Sequence, residues 1–385
     1  MRRRLLAVQG PLQYITGYIA YRWSEPPSPD VEDVLVLYDF LASPRIEHEI
    51  AEAVRALSST GRWARVVYIS GAQMDRLMRR TYSRSIKGLH ALIGSSRFDD
   101  IYLARDHVGN GSPLLLNAYP DARKVSYGDS LGIVGQREAF EALDPPLSFK
   151  GRLRAALRRQ LLGTPADIGF DEAVLTLPID MSGKYLQGMA LTVPSRDHVV
   201  ATLKEIYGAV PALASYCRSL CAEGIPGKSH LYLLSNLTAS GVSDAKREQA
   251  LYLEIITATS PEGGTVYLKP HPRSTFDVMS ALVKALEGRY RVVVVDDDQF
   301  ARFPIELWLD LIRQCEVVAM FSTSAINLKY LFAKEVTMPL TEANIARYFN
   351  PSTVSHIDST YRMIRGSLAN LETWDGTGAL WSAAR

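Results

Sequence analysis

The stretch Val266-Tyr267-Leu268-Lys269-Pro270-His271-Pro272-Arg273 reads as an apolar strand stopping in a turn held between two prolines. Each proline fixes its own φ and restricts the residue before it, so His271 is presented on a stiff turn. Apolar residues at helical spacing follow over 275–288, and a second β-branched run occupies 292–295. Strand, helix, strand is the unit of a parallel sheet covered by helices.

The same alternation extends outward in both directions. Runs at 231–234, 317–321 and 336–339 join this sheet as strands, with helices over 244–257 and 304–314. Upstream, runs at 5–9, 34–38, 66–70, 101–104 and 124–127, with a helix over 44–59, form an earlier series that 173–178 closes. Two βα series in 385 residues predict two Rossmann-like domains flanking a cleft. The expected domains are 1–195 and 196–340, with a hinge near 190–200. Residues 341–385 are expected as a helical tail returning to the first domain.

Charge is nearly balanced, 43 Lys and Arg against 41 Asp and Glu, so any anion site must be local rather than a field of the whole protein. Cys217, Cys221 and Cys315 are too few for a disulfide framework and lack the further ligands of a zinc site. The apolar stretch 5–8 is too short for a signal peptide, and no long apolar window occurs, so a soluble cytoplasmic protein is expected. Residues 149–162 place Leu153, Leu157 and Leu161 at helical spacing among arginines. This segment reads either as a solvated helix or as a peripheral contact with an anionic inner-membrane surface or glycan. Beyond Phe149 it lacks interleaved aromatics, which disfavours nucleic acid.

Lys269 and Arg273 flank His271, and a cationic turn at a strand's carboxyl end suits a phosphate or an anionic leaving group. Ser322, Thr323 and Ser324 stand where a helix begins after the 317–321 strand, either as caps or as anion donors. Pro304 reads as the first residue of a helix, which puts Glu306 in its first turn. There the carboxylate either complements the helix dipole or accepts hydrogen bonds from a ribose. Gly128 and Gly132 bracket Asp129 after a strand, a turn former or a general base facing the cleft. The loop holding Gly10 and Gln13 is expected to open into the same cleft, and no dinucleotide fingerprint is present.

In order, Tyr232-Leu233-Leu234-Ser235-Asn236-Leu237-Thr238, Glu248, Tyr252, Lys269-Pro270-His271-Pro272-Arg273, Pro304-Ile305-Glu306 and Ser322-Thr323-Ser324 resemble the bacterial polysialyltransferase and lipooligosaccharide sialyltransferase group. The resemblance implies a GT-B fold and transfer of a nonulosonic sugar from a CMP-activated donor to a glycan or glycolipid hydroxyl in capsule polysaccharide or lipooligosaccharide synthesis. It implies inversion with neither cofactor nor metal. His271 would be the acid toward departing CMP, and Glu306 would hold the ribose. Thr323 and Ser324 with Ser322 would bind the phosphate, and Lys269, Pro270, Arg273 and Asn236 would line the donor site. The family's paired-acid motif is here Gly128-Asp129-Ser130, leaving the base as Asp129 or, in reserve, Asp106. The sugar stays open among sialic acid, its bacterial relatives and Kdo. A CDP-glycerol-type polymer phosphotransferase and a catalytically silent glycan-binding subunit are the alternatives.

Overall fold

The computed structural model describes residues 1–24, 28–38, 44–104, 112–128, 170–178, 189–271, 277–297 and 299–373. Two compact units divide between Thr202 and Leu203, inside the helix Arg196–Ala209. Each is built on its own parallel sheet.

The first sheet comprises β1 (Arg2–Val8), β2 (Val31–Tyr38), β3 (Arg65–Ile69), β4 (Asp100–Ala104), β5 (Arg123–Gly128), β6 (Glu172–Leu175) and β7 (Ala190–Thr192). Their order is β3-β2-β1-β4-β5-β6-β7, so the winding reverses between β1 and β4. The arginines heading β1 are each paired from the neighbouring segments: Arg2 with Asp100 at 2.7 Å, Arg3 with Glu32 at 2.8 Å and Arg4 with Asp33 at 2.8 Å. The basic start of the chain is therefore part of the sheet. Arg4 is 1% exposed and lies 4.0 Å from the centre of the Tyr21 ring, a desolvated charge matched by a carboxylate. The helix Pro11–Ser24 crosses close to the sheet at Gly17, where an added Cβ would stand 2.8 Å from Leu6 and 2.9 Å from Tyr127.

The second sheet comprises β8 (Ser229–Leu233), β9 (Thr265–Lys269), β10 (Arg291–Val294), β11 (Glu316–Ala319) and β12 (Val336–Thr337), in the order β10-β9-β8-β11-β12. All its pairs are parallel, and the winding reverses between β8 and β11. Alternation along β9 sends Val266 and Leu268 into a core with Leu251, Ile256 and Leu282, from the helices Ala245–Thr259 and Asp277–Leu286. Tyr267 points to the opposite face, where its hydroxyl donates to the Leu220 carbonyl at 2.6 Å. Two parallel sheets in series, each covered by helices, make the fold α/β.

Two expectations are corrected. The closing helices Glu342–Tyr348 and Val354–Thr373 put Ile345, Tyr348, Ile357 and Tyr361 into the core of the second unit, to which both helices belong. Tyr361 fixes this by donating to the Met338 carbonyl at 2.7 Å. Pro304 does not open an α-helix but caps a single 3-10 turn, Ile305–Leu307, and the helix proper is Leu309–Gln314. Trp308 between them, at φ −92° and ψ 52°, breaks the helical path. Among the described residues no helix is long and apolar enough to cross a membrane, and no group of three or more His, Cys, Asp or Glu is placed to hold a metal ion. Cys217 and Cys315 are buried thiols, both pushed up to about 12 by burial.

Candidate active site

The carboxyl ends of β9, β8 and β11 lie side by side, and the β8–β11 gap is the switch point where open α/β sheets bind ligands. Leu234, just past β8, donates its N–H to the Lys269 carbonyl at 3.0 Å, so the pairing continues to the last residue of β9. Across the switch point, Ser235 Oγ donates to the Phe321 carbonyl at 3.0 Å and ties the loop after β8 to the loop after β11. His271, half-buried, follows β9 on the same edge. Thus Asn236, Pro270, His271 and the 322–324 group leave three adjacent strands at one end.

The helix Ser324–Phe332 starts at this edge. Ser322 Oγ accepts from the Ser324 N–H at 3.3 Å, whereas Thr323 occupies the cap position with helical angles and makes no side-chain cap bond. Capping thus falls to Ser322, and the first-turn N–H groups and the dipole of this helix favour an anion.

Two residues that the sequence places on the donor surface are buried. Glu306 is 3% exposed, and its Oε1 accepts from Asn327 Nδ2 at 2.8 Å, coupling the 305–307 turn to the inner side of the Ser324–Phe332 helix. Lys269 is 4% exposed and donates to the Ala301 carbonyl at 2.5 Å, with its amine 5.2 Å from the centre of the Trp308 ring. It shares the Tyr267 face of β9 and so turns away from the Val266 and Leu268 core. Burial, then the nearby Arg302 charge, pull its ammonium down to about 7. Lys269 is therefore not an exposed flanking base of His271.

A buried pair on the helix Ala245–Thr259 shapes the loop after β8. Glu248 accepts from the Leu237 N–H at 3.3 Å and the Thr238 N–H at 2.7 Å, and also from the Thr238 hydroxyl. The Tyr252 hydroxyl accepts from the Ser235 N–H at 3.0 Å and lies 2.7 Å from the Ser235 carbonyl and 3.0 Å from Glu248. Burial first, then Glu248, push the Tyr252 phenol well up, so it stays a neutral donor. The sequence signal was a carboxylate and a phenol four apart on an inward helix face, without a role attached. Above them Ser235, Asn236 and Thr238 meet Val278, Met279 and Leu282 in a pocket.

In the first unit, Gly10 precedes a helix rather than lying in an open loop. Pro11 is its first residue, and Gln13, 9% exposed, turns back to accept from the Gln9 N–H at 2.7 Å. A proline at the first helical position forfeits no intrahelical bond, which is why the helix starts there. Gly128 ends β5, and its carbonyl accepts from the Thr176 N–H at 3.0 Å. Asp129, Asp106, Arg273 and the segment 149–162 lie outside the described residues.

A family model described as alpha-2,8-polysialyltransferase (POLYST) covers the second sheet and its loops. Residues 184–339 match the alpha-2,8-polysialyltransferase family. That span includes every site residue assigned to the donor, from Asn236 to Ser324, and it supports a sialyl-transferring glycosyltransferase. No curated protein matches the sequence. Among solved structures, the GT-B domain of a sialyltransferase from Photobacterium damselae is similar at 10% identity and a TM-score of 0.47, over 94% of this chain and 97% of that one. A UDP-GlcNAc 2-epimerase from Methanocaldococcus jannaschii is similar at 10% identity and 0.45, over 95% and 99% of the chains. The heptosyltransferase WaaC from E. coli with ADP-2-deoxy-2-fluoro heptose is similar at 12% and 0.37, over 88% and 90%.

Proposed function

We propose that the chain transfers a nonulosonic sugar from a CMP-activated donor to a glycan hydroxyl, with inversion and without a metal. The observation that carries this reading is that the polysialyltransferase match falls on the switch-point loops of the second sheet. The phosphate of CMP sits at the amino end of the Ser324–Phe332 helix, with Thr323 and Ser324 as donors. Glu306, buried and anchored by Asn327, braces the 305–307 turn on the ribose side. The acceptor oxygen attacks the anomeric carbon while the bond from that carbon to the phosphate oxygen breaks. The electron pair of that bond leaves with CMP, and the acceptor proton goes to a carboxylate, for which Asp129 is the candidate.

CMP is a fair leaving group, so the main demand on the protein is to stabilise growing phosphate charge. His271 serves this as a hydrogen-bond donor or acid, and its half-buried place at the end of β9 supports that role. The inner-membrane contact and the cytoplasmic setting belong to the same proposal, with 149–162 as the contact.

Calorimetric titration with CMP, CDP, UDP and GDP in EDTA tests the donor class. CMP alone should bind, and His271→Ala should weaken it about tenfold or more, the scale of a lost charge-assisted hydrogen bond. Preference for UDP or GDP overturns the reading. Asp129→Asn should abolish transfer while CMP binding stays within about twofold, since general-base catalysis contributes roughly 10²–10⁴-fold. Full transfer by Asp129→Asn removes it as the base.

A further inference from the structure

We propose that Glu248 is a positioning residue for the donor, holding the 235–238 loop in the shape that directs phosphate to the 322–324 group; this rests on the CMP-donor reading. Glu248 is 5% exposed and lies behind the loop. Two consecutive N–H groups, those of Leu237 and Thr238, turn inward to its carboxylate, together with the Thr238 hydroxyl. Tyr252 engages the Ser235 N–H from the same helix.

The consequence is electrostatic as well as geometric. Loops after the first strand of a Rossmann sheet commonly cradle phosphate with free backbone N–H groups. Here those N–H groups are already committed to a buried anion, which repels a second one nearby. Phosphate is left the opposite side of the switch point, where the Ser324–Phe332 helix begins. Ser235 Oγ, bonded to the Phe321 carbonyl at 3.0 Å, transmits the held shape to that side. Asn236 gives its carbonyl to the Ser240 N–H at 3.1 Å and, half-buried, lines the same pocket as Glu248, Val278 and Met279. The clamp thereby fixes the loop on which Asn236 stands at the edge of the donor site.

The test compares wild type with Glu248→Gln, Thr238→Val and Tyr252→Phe, by CMP titration and amide hydrogen exchange well below each variant's unfolding temperature. Gln turns an amide donor toward the loop N–H groups, so Glu248→Gln should weaken CMP about tenfold and release protection at Leu237 and Thr238. Thr238→Val leaves the carboxylate and both N–H bonds, and Tyr252→Phe removes the phenol's bonds to Ser235 and to Glu248 but leaves the Leu237 and Thr238 N–H bonds to the carboxylate, so each should weaken CMP about two- to fivefold. Acceptor KM should be unchanged in all three, a split that general destabilisation does not produce. If wild type binds CMP and every folded variant binds within twofold, the inference fails while the functional reading stands. If wild type does not bind CMP, both fail.

Discussion

Lys269 links a single side chain's burial to a measurable pH dependence. Its ordinary value is near 10.5, and the folded value is about 7. Between those limits the unfolded chain carries a proton that the folded chain does not, so folding stability rises with pH through that window and is lower at and below neutrality. Lys269→Met removes the penalty of charging a buried amine but also the bond to the Ala301 carbonyl. Relative to wild type, the variant should therefore lose ground by on the order of 2 kcal/mol between about pH 7 and pH 9, at about 1.4 kcal/mol per pH unit. Urea midpoints at the two pH values measure this, and parallel pH profiles of the two proteins would refute the shift. The sequence showed a lysine beside a histidine at a strand end, which reads as a cationic pair. It did not show which face of β9 Lys269 takes, because the parity that pairs Lys269 with Tyr267 matters only once Trp308 and Ala301 are packed there. Glu306 is the same case: its type and order were legible, but its burial against Asn327 arises from an element 21 residues later.

At the scale of elements, the strands were legible because a parallel sheet covered on both faces needs short apolar runs, and β4, β5 and β8 to β11 are such runs. Their positions in the sheet fix the site without any long-range knowledge, since a loop after a parallel strand always emerges at the same edge. What escaped were helices announced by turn chemistry. Pro11 opens Pro11–Ser24, whereas Pro304 precedes only a 3-10 turn; the two prolines look alike, and the difference lies in the residues that follow. In the first case Tyr14, Tyr18 and Tyr21 line one helical face and bury together. In the second, Trp308 leaves the helical path, and its ring packs against Tyr216. The helix Pro11–Ser24 also carries Gly17, where the missing Cβ lets it sit close to Leu6 and Tyr127. The Tyr127 ring cannot swing aside freely because its hydroxyl donates to the Ala7 carbonyl at 2.6 Å. Alanine adds helix propensity of about 1 kcal/mol. Overpacking costs about 1–3 kcal/mol, so Gly17→Ala should be net destabilising by up to about 2 kcal/mol. Thermal unfolding measures it, and an unchanged or raised midpoint would show that the helix can move away.

At the scale of the whole molecule, the chain devotes one sheet to the residues assigned to the donor, and this gives ligand binding a regional signature. Asn236, His271, Glu306 and the 322–324 group all belong to the unit that follows Thr202, and the bonds joining them run within it: Ser235 to Phe321, Leu234 to Lys269, Asn327 to Glu306. A ligand that binds only the folded form adds stability of RT ln(1 + [L]/Kd), about 2.7 kcal/mol at a hundredfold excess over Kd. That gain is realised in segments whose opening releases the ligand, since proteins open locally as well as globally. Saturating CMP should therefore slow amide exchange in the loops at 234–238 and 320–324 and in the helix Ser324–Phe332. Exchange in β1 to β4 should stay as it is in the free protein. His271→Ala should shrink the protected region in proportion to its lost affinity. Protection confined to the loops that follow β1 and β5 would assign the nucleotide to the first sheet and reverse the roles of the two units.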